Sequence, residues 1–235
     1  MRAAPDAISP AVPSLRPADL VRRLGPHPCV RAGLDLSRDA DLLRWLALAL
    51  LLSSTDEPRA LAALAALPEP LAGADVADVA ARLTRERIAR SEAVAASLVR
   101  AARAMAERWD GSFARLAAEA DDLETLGSRL AALAPGVGRA TVLRFLRPLR
   151  DQQGGAREVP LAPAARAAAL HLGWIDASDD EEGEPVSLRA HIAREDAAPP
   201  FADVEAALER LGAASCLRGR VKSCPLGAEC PKRAD

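Results

Sequence analysis

The sequence predicts an all-α fold, on three observations. Apolar residues recur at helical spacing along most of the chain, no stretch alternates convincingly as a strand, and segments rich in proline, glycine or acidic residues separate the periodic runs. Half of the 235 residues are hydrophobic, enough to bury a core as one large domain or two small lobes. Helices are predicted over residues 17–24, 40–52, 57–67, 76–83, 91–109, 112–120, 123–133, 139–149, 163–172, 188–195 and 202–211.

The N-terminal segment and the most apolar run bear on location in the cell. Residues 1–17 are rich in alanine and proline and are predicted to form a disordered tail. They lack the apolar run of a signal peptide, so we expect a cytoplasmic protein. The most apolar run, residues 42–52, is shorter than the about 20 residues that span a bilayer, so we expect no membrane contact and a central buried helix there.

The stretch Leu133-Ala134-Pro135-Gly136-Val137-Gly138-Arg139-Ala140-Thr141 is typical of a helix-hairpin-helix, a turn between two helices that grips a DNA phosphate. Pro135 presets one backbone angle, while Gly136 and Gly138 are expected to supply positive φ and room for close approach. Backbone N–H groups at the start of the next helix would face the phosphate. The alternative is an ordinary loop between helices. The predicted DNA contacts here are Pro135, Gly136, Val137, Gly138, Arg139 and Thr141.

The flanks of this turn support the hairpin interpretation. Apolar residues at helical spacing lie on both sides of it, namely Leu126, Leu130 and Leu133, then Val142, Leu143, Leu146 and Leu149. The net charge of −2 gives no global attraction for nucleic acid, so contact depends on local patches. Residues 133–150 form such a patch, without acidic residues and with the cations Arg139, Arg144, Arg147 and Arg150. Arg144 and Arg147 are expected to add nonspecific affinity for phosphates.

Three of the four cysteines, Cys216, Cys224 and Cys230, cluster in the C-terminal tail. In a cytoplasmic protein such clustering favours a metal or iron–sulfur site over disulfides, because thiols stay reduced there. A closed site needs a fourth ligand, for which Cys29, His27, water or a group of a partner remain open. The alternative is a set of ordinary buried thiols. The loop between the first two cysteines would present three cations to solvent or to phosphate, Arg218, Arg220 and Lys222.

These motifs, in this order, resemble the endonuclease III branch of the helix-hairpin-helix DNA glycosylases. The likeness covers most of the chain from about Leu20 onward. It runs through Gly25-Pro26-His27-Pro28, residues 42–53, the hairpin, Gly212 before Cys216, and Cys224-Pro225-Leu226-Gly227-Ala228-Glu229-Cys230. The resemblance implies a base-excision-repair role in which a damaged base is flipped out of double-stranded DNA.

The resemblance also implies the domain organisation and the cofactors. A helical-barrel lobe with the hairpin would span residues 38–150, and residues 18–37 with 151–235 would form a terminal-helix and cysteine-cluster lobe, with DNA bound across the cleft between them. The tail would hold a 4Fe-4S cluster. A monovalent cation would bridge hairpin carbonyls, and the protein is expected to be a monomer.

The first departure from the family concerns its lyase chemistry. Bifunctional members carry a Schiff-base lysine between the hairpin arginine and threonine, where this chain has Ala140. The chain has only two lysines, Lys222 and Lys232, and both lie in the cysteine tail. No lysine of the helical core can therefore attack a sugar carbon, and lyase activity is not expected.

The second departure concerns the aspartate at the start of the helix after the hairpin pair. In active members it stabilises an oxocarbenium-like sugar and orients a water. That position falls near Ala162, without a carboxylate. Glu158 is the nearest displaced candidate and Asp151 the other, although each also reads as an ordinary exposed loop or helix-end acid.

Two smaller departures affect gap filling and metal binding. Ser53 and Ser54 stand where the family has a glutamine that fills the gap left by a flipped base. The second of the four cluster cysteines is absent, with Val221 and Lys222 near its place. The tail is left with three possibilities: an altered cluster, a zinc ion or no metal.

Other features are predicted to be structural. Trp45, Trp109 and Trp174 lie on apolar helix faces and are predicted core residues, not base-stacking wedges. The acidic run of residues 179–184 is predicted to be a solvated loop.

Three functions remain open on the sequence. The departures favour a protein that binds duplex or damaged DNA on the glycosylase scaffold without its chemistry. The second is an active monofunctional glycosylase that uses Glu158 or Asp151. The third is a helical metal-binding or interaction module that does not touch DNA.

Overall fold

The computed structural model describes residues 15–152, 156–180 and 183–231, where the chain forms α-helices and short 3₁₀ turns but no strand. The all-α prediction is confirmed. Residues 1–14 of the predicted tail lie outside the described residues. The helices are α1 Pro17–Leu24, α2 Pro28–Arg31, α3 Asp39–Leu51, α4 Glu57–Ala66, α5 Val76–Arg85, α6 Ser91–Trp109, α7 Phe113–Ala118, α8 Leu123–Ala131, α9 Arg139–Leu146, α10 Pro163–Leu172, α11 Gly183–Ile192 and α12 Phe201–Ala214.

Most helix ends lie within a few residues of their predicted places, and the exceptions have local causes. α9 stops at Leu146 and continues as a 3₁₀ turn, Arg147–Leu149, because Pro148 has no N–H to donate. α11 begins earlier than predicted, since Asp180 accepts the amide of Gly183 at 2.7 Å. Residue Glu184 of the acidic run is therefore helical and buried against Arg166 in an ion pair, so a solvated loop is wrong for that residue. Residues 181 and 182 lie outside the described part.

The chain divides into two compact units. One contains Pro26–Leu161, with helices α2 to α9. The other combines the described residues up to Gly25 with those from Ala162 onward, and so contains α1, α10, α11, α12 and the cysteine tail.

In the unit of Pro26–Leu161, α3 is the central helix, as predicted. Its residues Trp45 to Leu51 are all buried, and α4, α6, α7 and α9 pack on it. The indole N–H of Trp45 donates to the carbonyl of Phe145 at 2.9 Å, which ties α3 to α9. Arg103 of α6 clamps the 3₁₀ turn Leu71–Gly73 by donating to the carbonyls of Ala72 and Ala74, both at 2.9 Å. None of the helices in the described part of the chain is long and apolar enough to cross a membrane.

The other unit is organised around α12, on which α10 and α1 pack. Gly212 allows the close approach of α10, because a Cβ there would lie only 1.8 Å from the carbonyl oxygen of Ala164. Trp174 is buried and stacks on the ring of His191 with centroids 5.0 Å apart. Trp174, like Trp45 and Trp109 in the other unit, is confirmed as a core residue.

Candidate nucleic-acid interface

The predicted hairpin turn spans residues 132–138, between α8 and α9. Gly136 has a φ of +92°, a left-handed conformation that favours glycine. A Cβ at this position would lie 3.2 Å from the hydroxyl oxygen of Ser97, so the turn packs tightly on α6. Gly138 has a φ of −86°, and the expected positive φ is wrong there. It is the extended N-cap residue of α9, a conformation open to any residue.

The hairpin buries an apolar side and leaves one edge in solvent. Its buried residues are Leu133, Ala134, Val137, Thr141 and Val142. Its exposed residues are Pro135, Gly136, Gly138, Arg139 and Ala140. The exposed edge contains most of the residues predicted to face DNA. The amide of Val137 donates to the carbonyl of Ala134 at 3.2 Å, so it is used within the turn. The buried hydroxyl of Thr141 is likewise used inside the protein.

The first turn of α9 has no side-chain cap within the described residues. Its N-cap, Gly138, has no side chain to offer, and its carbonyl accepts the amide of Val142 at 3.0 Å. α8 differs, since Asp122 caps it by accepting the amide of Thr125 at 2.7 Å. That amide holds the pKa of Asp122 below its usual value. The start of α9 thus combines exposed amides with the positive end of the helix dipole, which favours an anion.

Ser53 fixes the direction of Arg144 beside this helix start. The Ser53 hydroxyl donates to the carbonyl of Ala49 at 3.1 Å, which leaves its oxygen to accept from two donors. One is the hydroxyl of Thr141 at 3.1 Å, and the other is Nη1 of Arg144 at 3.0 Å. Ser53, which the resemblance aligns with the family's gap-filling glutamine, therefore acts here as a positioning residue for an arginine.

Arg139 lines a different cleft, together with Glu158. This cleft has a volume of about 710 Å³ and runs along α8 and α9, with Asp122 and Glu124 also on its wall. Glu158 is exposed, and it lies on the Arg139 side of α9. Asp151 is exposed just after the 3₁₀ turn that follows α9. Of the two candidate carboxylates, Glu158 lines the same cleft as Arg139.

Two arginines of the predicted cationic patch are engaged with the backbone. Arg150 is only 2% exposed, and its guanidinium donates to the carbonyls of Val159 at 2.8 Å, Pro160 at 2.9 Å and Arg147 at 3.3 Å. Arg147 is half-buried and donates to Pro160 at 3.3 Å. These bonds anchor the chain after α9 and place Arg150 away from solvent.

The two alanines that the resemblance aligns with catalytic residues, Ala140 and Ala162, have different surroundings. Ala140 is exposed in the first turn of α9. Ala162 is buried at the start of α10, in the other unit, and its amide donates to the Glu205 carboxylate at 3.2 Å. Glu205 is a buried acid of α12 that sequence reasoning missed, because no local pattern indicates that it caps a helix 43 residues earlier. Its place at a helix N-terminus is that of a stabilising anion.

The cysteines predicted to bind a metal lie in both units. Cys216 is half-buried, while Cys224 and Cys230 are buried, and Cys29 is buried in the other unit. Among the described residues, which include all four cysteines, no group of three or more His, Cys, Asp or Glu side chains is placed to hold a metal ion. An iron–sulfur cluster or a zinc ion in the tail stays a prediction. The expected cations of the loop are all exposed, Arg218, Arg220 and Lys222.

Sequence reasoning missed a surface on α6 beside the hairpin turn. Arg90, Ser97 and Arg100 line a cleft of about 590 Å³ together with Pro135 and Gly136. The signal was present in the chain, as one arginine just before the predicted helix and another on it, with Ala93 and Ser97 between them. Because alanine and arginine are so common in this sequence, the pattern alone did not indicate a functional surface.

The geometry gathers the hairpin turn, Arg139, Arg144 and the α6 cleft within the unit of Pro26–Leu161. The cysteine tail belongs to the other unit. Comparison of the chain with protein-family models, with curated proteins and with solved structures finds no match.

Proposed function

We propose that the protein binds the sugar–phosphate backbone of double-stranded DNA through the α8–α9 hairpin, without lyase chemistry. The observation that carries this proposal is the exposed, uncapped start of α9 next to the left-handed Gly136. The amides at Gly138 and Arg139 bind one phosphate, and the positive end of the helix dipole strengthens that contact. The cations Arg139 and Arg144 add affinity without reading sequence.

The resemblance to endonuclease III-like glycosylases supports a role on damaged or bent duplexes. A monovalent cation at the hairpin is compatible with the turn, because Pro135 and Gly136 are exposed and backbone carbonyls are suitable ligands for such an ion. When bound, it would add positive charge beside the phosphate. The exposed cations of the cysteine tail give a further backbone contact, through Arg218, Arg220 and Lys222.

The salt dependence of duplex binding tests this function. Fluorescence anisotropy of a labelled duplex is measured over a range of salt concentrations, and the logarithm of affinity falls linearly with the logarithm of salt. Each phosphate contact contributes about 0.9 to the slope, so the double substitution Arg139→Gln, Arg144→Gln lowers it by about 1.8.

The control removes the same charge from other exposed sites of the same unit. Arg59→Gln with Arg115→Gln takes away arginines that pair with Asp56 and Asp110, and we expect an unchanged slope. A flat salt response of the unmodified protein contradicts the proposed function.

A second function, monofunctional base excision, is favoured by one observation, namely that Glu158 lines the same cleft as Arg139. A carboxylate there is near the helix that binds the backbone, where a stabilised oxocarbenium-like sugar would need it. Single-turnover assays on duplexes with oxidised, deaminated or alkylated bases, followed by alkali, detect this activity. It requires breaks that appear only after alkali and disappear in Glu158→Gln but not in Asp151→Asn. Salt-sensitive binding without breaks leaves DNA binding as the function.

A further inference from the structure

The cleft on α6 has walls suited to phosphate. Arg90 and Arg100 are exposed and make no ion pair within the described residues, whereas Arg82, Arg115 and Arg129 of the same unit each pair with an acid. Among the described residues that line the cleft there is no carboxylate, and three carry hydroxyls, namely Ser53, Ser54 and Ser97. Unpaired guanidinium groups are the side chains that most often contact phosphate oxygens.

The spacing along α6 matches a nucleic-acid strand. Ala93, Ser97 and Arg100 follow at intervals of four and three residues, which places them on one face of α6. Arg90 directly precedes the helix as its left-handed N-cap residue and lines the same cleft. Ten residues put the two arginines about 15 Å apart along the helix axis. This is the length of about four nucleotide steps in one strand of B-DNA. The small, exposed side chain of Ala93 leaves room for close approach of a backbone.

The hairpin turn meets α6 between the two arginines. Gly136 packs on Ser97, where a Cβ would lie 3.2 Å from the hydroxyl oxygen. Ser97 is seven residues beyond Arg90 and three before Arg100. The hairpin turn therefore meets α6 at a point between the two cations.

We propose that the α6 cleft is a second backbone site, in which Arg90 and Arg100 bind DNA phosphates on either side of the one gripped by the hairpin. This inference rests on the proposed function and extends it from a single phosphate to a stretch of backbone. The recognised chemistry is the phosphodiester of a DNA duplex, independent of base sequence.

Two substitutions at the ends of the cleft test the inference without disturbing the fold. Arg90 has a φ of +55°, so Arg90→Gly removes the cation while its backbone adopts the same conformation without steric cost. Arg100→Gln removes the other cation from an exposed position. We expect each substitution to lower the salt slope of duplex binding by about 0.9, and the pair to lower it by about 1.8. The melting temperature of Arg90→Gly should equal or exceed that of the unmodified protein.

Duplexes with single neutral methylphosphonate linkages locate the contacts. Neutralising a phosphate that Arg100 binds should weaken the unmodified protein but leave Arg100→Gln unaffected, and likewise for Arg90→Gly at a different linkage. The matched control is Arg115→Gln, which loses one charge of the same unit at a site paired with Asp110.

The outcomes separate this inference from the function on which it rests. If Arg139→Gln with Arg144→Gln lowers the slope while Arg90→Gly and Arg100→Gln do not, the second site is overturned and the hairpin function stands. A flat salt response of the unmodified protein overturns both.

Discussion

His191 is a titratable residue whose environment differs from that of a free side chain. Its ring stacks on buried Trp174, and it is half-buried. Burial lowers the pKa of His191 below its ordinary value of 6.5, Arg194 lowers it further, and Glu195 opposes them. The folded protein therefore prefers the neutral imidazole more strongly than the unfolded chain does.

Stability should consequently fall in mild acid. Well above pH 6.5 the His191 imidazole is neutral in both the folded and the unfolded protein, and the stability that its neutral form allows is present in full. As the pH falls below 6.5, the unfolded chain takes up the proton first, and stability is lost down to the lower pKa of the folded state. We expect the melting temperature to drop more between about pH 7.5 and 5.5 in the unmodified protein than in His191→Gln. Parallel curves for the two proteins would contradict this prediction.

At the level of secondary-structure elements, the close contact between α10 and α12 depends on Gly212, which has no side chain. In Gly212→Ala the new methyl group would lie 1.8 Å from the backbone oxygen of Ala164, and backbone cannot rotate away as a side chain can. We expect a loss of about 3 kcal/mol or more in the free energy of unfolding, measured by urea titration.

The same substitution elsewhere provides the control. Gly127 lies within α8, and a Cβ there would be 3.6 Å from Cγ1 of Val142, an ordinary contact. Gly127→Ala should therefore stabilise the protein by up to about 1 kcal/mol, because alanine favours the helix. A Gly212→Ala variant as stable as the unmodified protein would contradict the prediction, because α10 and α12 would then have to move apart without a measurable loss of stability.

Helices with strong local signals were predictable from the sequence, and those set by distant contacts were not. α1 and α10 begin at a proline and are followed by Gly25 and Gly173 with positive φ, so both of their boundaries are encoded locally. The start of α11 depends on a cap from Asp180, which precedes two further acidic residues, and the acidic composition suggested a loop instead. The acidic composition of this segment was therefore a poorer guide to its structure than the hydrogen bond from Gly183 to Asp180.

The candidate site divides in the same way. The turn, its buried flanks and the exposed Arg139 follow from local sequence, because glycine, proline and helical periodicity act over a few residues. The hydrogen bond from Arg144 to Ser53 spans 91 residues, and the burial of Arg150 depends on carbonyls of a later loop. Such details require the tertiary structure. The positions of the cysteines relative to one another in the folded protein likewise could not be predicted from the local sequence.

At the level of the whole molecule, charge must act locally. The chain carries 31 basic and 33 acidic residues, and many surface arginines are neutralised by neighbouring acids. Three arginines for which the described part of the chain shows no ion pair, Arg90, Arg100 and Arg139, line the clefts beside the hairpin. The duplex binding that we propose would therefore depend on short-range contacts and not on long-range steering.

The hydrogen bonds that Arg103 and Arg150 make to backbone carbonyls help to explain how this fold forms with so few aromatic residues. The protein has no tyrosine, and aromatic residues make up 3% of it, so the phenol groups that often fasten loops elsewhere are absent. Arg103 and Arg150 fasten loops instead, each reaching two or more backbone carbonyls with one planar group. A lysine has a single ammonium and lacks that fork. A composition rich in alanine and arginine thus still provides both the small residues that pack between helices and the arginines that hold the loops in place.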